Sequence, residues 1–258
     1  MATFYSPKVV TDGLQIYVDF ANSKSYAGGG ANTVNLIDSS RNPGYIKGTV
    51  TDSTVNNNRV VLTGGGGAGY NLVGDRISIN TSAAGIDRFG KQHSFSICFW
   101  VKKSGGGGKI WSTGSAGSGT TDNCVWQMWI DEGQFYWWDI GGGGTNIVNV
   151  YFSPVPDATN WYFNTITFSS GGAGNNNVCV AYRDAVAQNS QTIAYNTHSA
   201  VDRSGETSIQ WTLGGGYSGS CYTGNGSYYF GSYFCYNKVL TPAEILQTYN
   251  TTKGRFGK

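Results

Sequence analysis

The sequence reads as an all-β protein, a two-sheet antiparallel β-sandwich with one short C-terminal helix. Three observations carry this expectation. Short runs rich in aromatic and β-branched residues recur from Leu14 to Tyr236. Glycine-rich loops at 64–67, 105–108, 141–144 and 214–216 separate many of them. A helix start appears only near the end, where Thr241 offers an N-cap oxygen, Pro242 suits the first helical position and Glu244 completes a capping box. Sandwiches of about this length form single domains, so the 258 residues divide into an arm (1–12), one β domain (13–250) and a tail (251–258).

Taken in order, Thr11-Asp12-Gly13 marks a turn. In Leu14–Phe20, alternation places Leu14, Ile16, Val18 and Phe20 on one face and Gln15, Tyr17 and Asp19 on the other. Tyr45–Val50, Arg59–Leu62 and Asp75–Asn80 are short extended pieces. Gln92–Val101 becomes apolar on both faces towards its end, the pattern of a central strand in a layered structure. Lys109–Ser112 follows, and Val125–Ile130 and Gln134–Ile140 flank Asp131-Glu132-Gly133 as a hairpin. Trp161–Phe168, Asn177–Arg183, Gln191–Tyr195 and Ser208–Leu213 continue the series. Tyr228–Val239 closes the sheet, with Gly231 as a permissive interruption. The helix that follows carries Ile245, Leu246 and Tyr249 as an apolar stripe, and at about two turns it needs a larger surface to dock on.

Composition narrows the function classes. Only 12% of residues are charged and formal net charge is +2, with no basic block longer than Lys102-Lys103, so the electrostatic footprint of a nucleic-acid binder is missing. No apolar run approaches the roughly 20 residues of a membrane span, and the first residues lack the apolar centre of a signal peptide. The five cysteines contain no Cys-x-x-Cys pair. Cys98, Cys179 and Cys235 sit in strand-like runs as buried thiols, whereas Cys124 and Cys221, in looplike surroundings, are the pair open to a disulfide. The glycine runs lead into no Gly-Lys-Ser/Thr helix and are not phosphate cradles.

Seven stretches, in this order, resemble the concanavalin A-like lectin and glucanase superfamily in its laminin-G-like form: Gly13–Phe20, Asn35–Ser40, Phe95–Val101, Asn160–Phe168, Val178–Arg183, Leu213–Gly216 and Phe230–Ile245. The closing Asn237-Lys-Val-Leu-Thr-Pro-Ala-Glu-Ile245 is the most specific, with lysine where the family pattern has arginine. The resemblance implies a jelly-roll sandwich. The tail Tyr249–Gly257 looks like that of laminin-G-like virion proteins, which implies a capsid-decoration or head-fibre-like subunit displayed on a phage particle. Its partners would be other virion proteins, host surface glycans and further copies of itself. The alternatives are a tail-fibre or baseplate receptor-binding lectin and a bacterial surface carbohydrate-binding protein.

Glucanases on this fold pair two glutamates around an aspartate on one strand, because retaining hydrolysis needs carboxylates about 5 Å apart. Glu132, Glu206 and Glu244 form no such group, so no enzyme is expected and no catalytic residue is assigned. Binding has more material. Trp126 and Trp129, then Trp137 and Trp138, alternate on two successive strands, and one of each pair faces either outward or a groove, the alternative being core packing. Tyr136, Tyr151 and Tyr217 are further candidates for stacking on sugars or on a partner. The resemblance also implies calcium at the rim, for which Asp122, Asn123, Asp139 and Asn146 supply hard oxygen donors if their loops converge.

Overall fold

The computed structural model describes residues 8–20, 22, 24–26, 32–37, 44–47, 60–63, 76–80, 94–105, 109–115, 124–129, 134–139, 145–151, 153, 157, 159–171, 175–193, 209–213 and 227–258. Two antiparallel sheets carry the chain. The first contains β1 (Leu14–Asp19), β4 (Val60–Thr63), β6 (Phe95–Gly105), β11 (Tyr162–Ser169), β12 (Asn177–Arg183), β13 (Val186–Ile193) and β15 (Ser227–Tyr236). Its order is β1-β15-β6-β11-β12-β13, with β4 also on β15. The second contains β2 (Asn32–Thr33), β3 (Gly44–Lys47), β5 (Arg76–Asn80), β7 (Lys109–Ser115), β8 (Cys124–Trp129), β9 (Gln134–Asp139), β10 (Thr145–Tyr151) and β14 (Ile209–Leu213), in the order β10-β9-β8-β7-β14-β5-β3-β2. Strand β10 lies against β12 and β13. The fold is a jelly-roll-type β-sandwich with one short C-terminal helix, α1 (Pro242–Thr252).

Strand β6 shows why both of its faces are apolar. Every residue from Phe95 to Val101 is fully buried. Register aligns Ile97 with Cys235 and Ile166, and Phe99 with Tyr233, as the layer between the sheets. The opposite face, with Cys98, Trp100, Phe163, Phe234 and Tyr236, is covered by Ile245 of α1 and by Phe256 of the 3-10 turn Lys253–Phe256. The Trp100 ring stacks on Phe256 at 4.3 Å and on Tyr249 at 5.7 Å, while its indole N–H donates to Thr252 Oγ1 at 2.8 Å. The apolar surface that a two-sheet sandwich would leave wet is thus closed by the last turn of chain.

The closing motif behaves as its residues dictate. Thr241 Oγ1 accepts from the Glu244 amide, the Glu244 carboxylate accepts from the Thr241 amide, and Pro242 sits at the start of α1. Lys238 bridges Glu244 and Asp12, pinning the Asp12-Gly13 turn beneath the helix start. Gly13 has φ +73 and lies under the Lys238 stem, so a side chain there would be both strained and crowded. Strand β1 pairs with β15, which gives the closing strand its edge partner.

Several sequence expectations need correction. Gly231 is required by close approach rather than by backbone freedom: a Cβ there would lie 2.4 Å from the Phe256 ring. Cys124 opens a strand, β8, instead of lying in a loop. The strand expected at Gln191–Tyr195 begins earlier and runs Val186–Ile193, after a tight turn in which Asp184 and Ala185 take φ 49 and 66. That hairpin escapes notice because it contains no glycine or Asn-Gly signal; Asp184 holds it by accepting from the Phe163 amide and pairing with Lys258. Strand β10 was not anticipated at all, although Ile147-Val148 and Val150-Tyr151 carry the β-branched and aromatic signal.

Candidate functional site

The aromatic candidates converge on the β10-β9-β8 end of the second sheet. Register pairs Trp126 with Trp137, Gln127 with Tyr136, Met128 with Phe135 and Trp129 with Gln134. Across the next ladder Trp138 stands opposite Asn146, Trp137 opposite Val148, Tyr136 opposite Asn149, Phe135 opposite Val150 and Gln134 opposite Tyr151. Because side chains alternate faces with period two, two sets result. Trp126, Met128, Phe135, Trp137 and Val148 share the register phase of Val150, which is fully buried. Trp129, Gln127, Gln134, Tyr136, Trp138 and Asn149 share the phase of Tyr151, which is 45% exposed.

The register divides each tryptophan pair between the two phases. One tryptophan of each pair, Trp126 and Trp137, belongs to the set in phase with the core. Trp129 and Trp138 belong to the set in phase with the exposed tyrosine. The amides Gln127, Gln134 and Asn149, which no motif singles out, fall in the same rows as Trp129 and Tyr136, and Asn146, expected as a cation ligand, falls in the row of Trp138. The signal that would have found them is the spacing of β10 itself. Tyr217, Asp122 and Asn123 lie outside the described residues.

Of the four cation ligands expected from the sequence, the register places two. Asp139 stands opposite Thr145 and Asn146 opposite Trp138, in successive rows of opposite phase. Among the described residues no group of three His, Cys, Asp or Glu side chains is placed to hold a metal ion.

Beside β10, the segment leading into β11 is rigidly organised. Asp157 accepts from the amides of Thr159 and Asn160 and from the Tyr162 hydroxyl, and the Asn160 amide is the main reason its carboxyl is pulled down to about 2. The Arg183 guanidinium lies 4.4 Å over the Tyr162 ring, and burial pushes it down to about 10 despite Asp184, Tyr162 and Asp157 nearby. The Lys258 ammonium is 5.0 Å from the same ring. These contacts brace the start of β11 against the end of β12 and the C-terminus.

The Clostridium neurotoxin, N-terminal receptor-binding family model matches residues 34–200, more than half of the chain. The chain belongs to this family. The family's description is receptor binding, and the sequence holds no glucanase-type carboxylate pair. Family membership overturns the laminin-G-like phage assignment. With it go the capsid-decoration and tail-fibre roles, the virion partners and self-assembly expected from them, and display on a particle surface. The virion role rested on the tail Tyr249–Gly257 and the laminin-G-like resemblance on the closing strand and capped helix, features of a sandwich geometry that unrelated binding proteins share.

Solved structures agree on the fold. A botulinum neurotoxin serotype D binding domain is 15% identical with a TM-score of 0.57, covering 92% of this chain and 51% of that one. The binding domain of botulinum neurotoxin DC in complex with SialylT is 13% identical with a TM-score of 0.59, covering 93% and 52%. The serotype D ligand-binding domain in complex with N-acetylneuraminic acid is 16% identical with a TM-score of 0.55, covering 92% and 50%. The chain therefore spans about half the length of these domains. No curated protein matches the sequence.

Proposed function

We propose that the protein is a receptor-binding module that recognises carbohydrate through the face of β8–β10 carrying Trp129, Tyr136, Trp138 and Tyr151. The observation that carries this reading is the register, which phases Trp129, Tyr136 and Trp138 with the exposed Tyr151. Sugar rings present apolar C–H faces that stack on aromatic rings and hydroxyls that need donors and acceptors in the same plane. Interleaved Gln127, Gln134, Asn146 and Asn149 supply both from a rigid sheet. The family's receptor-binding character and the glycan ligands of two structural relatives support the same reading.

The test is a glycan array followed by titration calorimetry on the wild type, Trp138→Ala and Tyr151→Ala. Binding is expected for the wild type, with each variant weakened roughly tenfold or more, about 1.4 kcal/mol. Trp126→Ala should instead lower thermal stability. No binding above background in the wild type, or equal binding in both face variants, would reject the reading.

A further inference from the structure

A buried amide and a buried guanidinium meet inside the sandwich. Asn164 on β11 stands opposite Phe99 on β6 and opposite Arg183 on β12, so it shares the phase of Ile166 and points into the layer between the sheets. Asn164 is 1% exposed and Arg183 3%. Neither the Nδ2 nor the Oδ1 of Asn164 has a hydrogen-bond partner in the protein. Residues directly opposed on neighbouring strands keep their Cβ atoms about 4.5–5.5 Å apart, and the Arg183 guanidinium lies over the ring of Tyr162, the next residue in phase with Asn164 along β11. The two polar groups therefore border one space. An amide buried without a partner forfeits the hydrogen bonds it makes with water in the unfolded chain, a loss that folded proteins avoid almost everywhere.

We propose that Asn164 holds an ordered water molecule between the sheets, in a buried hydration site beside Arg183. The chemistry of the amide selects the occupant. Nδ2 donates and Oδ1 accepts, so the group that satisfies both atoms must itself do both. An anion would suit Nδ2 but face the lone pairs of Oδ1, and the carboxylates of Asp184 and Asp157 already act on the neighbouring guanidinium. A metal cation would suit Oδ1 but stand beside the Arg183 charge. A sugar hydroxyl has the right chemistry, yet residues so fully enclosed leave no way in for a sugar ring. Water donates, accepts and needs the least room, and the Arg183 guanidinium offers N–H groups as the further polar partner that a buried water requires. The site stands apart from the carbohydrate reading, since it lies on the inner face of the first sheet and the proposed sugar face belongs to the second.

The deciding measurement is nuclear magnetic resonance of the intact chain in solution, reading cross-relaxation between water and the Asn164 side-chain amide protons. Those signals are assigned as the pair missing in Asn164→Leu, and the sign of the rotating-frame effect separates a bound water from simple proton exchange. Cross-peaks to a long-lived water are expected, and a crystal structure should place a water oxygen about 2.9 Å from Nδ2. Leucine has the shape of asparagine without its polar atoms, so Asn164→Leu should lose the water and melt about 3 °C lower or more. Absence of the cross-peaks together with a dry amide in the crystal overturns the inference, and so does an anion, a metal or a protein side chain bonded to the amide. A leucine variant that melts at or above the wild type overturns it too, because replacing a dry amide by an apolar group of the same shape relieves the unmet hydrogen bonds.

Discussion

Gly231 sits where the Phe256 ring crosses β15, and the absence of a side chain there lets the ring reach the Trp100 face. Adding a methyl group would place a carbon 2.4 Å from the ring and 2.9 Å from the Trp100 Cβ, closer than atoms pack. Gly231→Ala is therefore expected to destabilise the protein by about 1–3 kcal/mol in chemical denaturation, the range of overpacking. The same substitution made on Phe256→Ala should cost markedly less, since the clashing ring is gone; additive losses would contradict the packing account. Nearby, Arg255 holds Asp19 in a two-point contact at 2.6 Å, and Asp19 is 97% withdrawn from solvent on its side chain by the same covering turn. Tyr17, half-buried beside them, donates to Asp19, and burial first, then the Asp19 charge, raises its hydroxyl far above the usual range. An alternating strand read from sequence alone puts Gln15, Tyr17 and Asp19 on a wet face; the covering layer dries it.

At the scale of elements, the connection from β10 to β11 depends on one carboxylate. Asp157 ties two backbone amides and the Tyr162 hydroxyl together, and its carboxyl is held down to about 2. A carboxyl whose folded value lies below the unfolded value of about 3.9 stabilises the fold above that value, and the stabilisation disappears as pH falls through the folded value. Melting temperature followed by circular dichroism should thus decline between about pH 5 and pH 2. Asp157→Asn should melt lower at neutral pH and show a shallower decline in that window. An equal acid slope in the two proteins would remove Asp157 from the account. The exposed carboxylate keeps the effect modest, because solvent screens it. The capped helix α1 shows the opposite case, an element legible down to its hydrogen bonds, since Thr241, Pro242 and Glu244 act within one turn of chain.

At the scale of the whole molecule, the two layers of core account for the cysteines. Cys98 faces the helix-covered side, while Cys179 and Cys235 follow the phase of the inner layer, and all three are free and fully buried. Burial pushes the Cys98 thiol up to about 12 and raises the Cys179 and Cys235 thiols well above the ordinary range too. These three should resist iodoacetamide at pH 8 in the folded protein and react fully in guanidinium, as read by peptide mass spectrometry. Labelling of any of them without loss of native circular dichroism would show that the packed core described here is open.

What the sequence determined by itself is the material that acts locally. Alternation in Leu14–Phe20 and Phe95–Val101 makes strands, the capping box makes α1, and the glutamate pattern argues against hydrolysis, because each depends on neighbours a few residues away. Tertiary structure decided the register phase of each aromatic position. Trp126 and Trp138 have the same local character, and only the pairing of β8, β9 and the unforeseen edge strand β10 separates them, since a one-residue change in register exchanges the two faces of a strand. It also decided the place of Phe256, whose partners Trp100 and Gly231 stand far away in sequence and meet it only when the last turn folds back over the sheet.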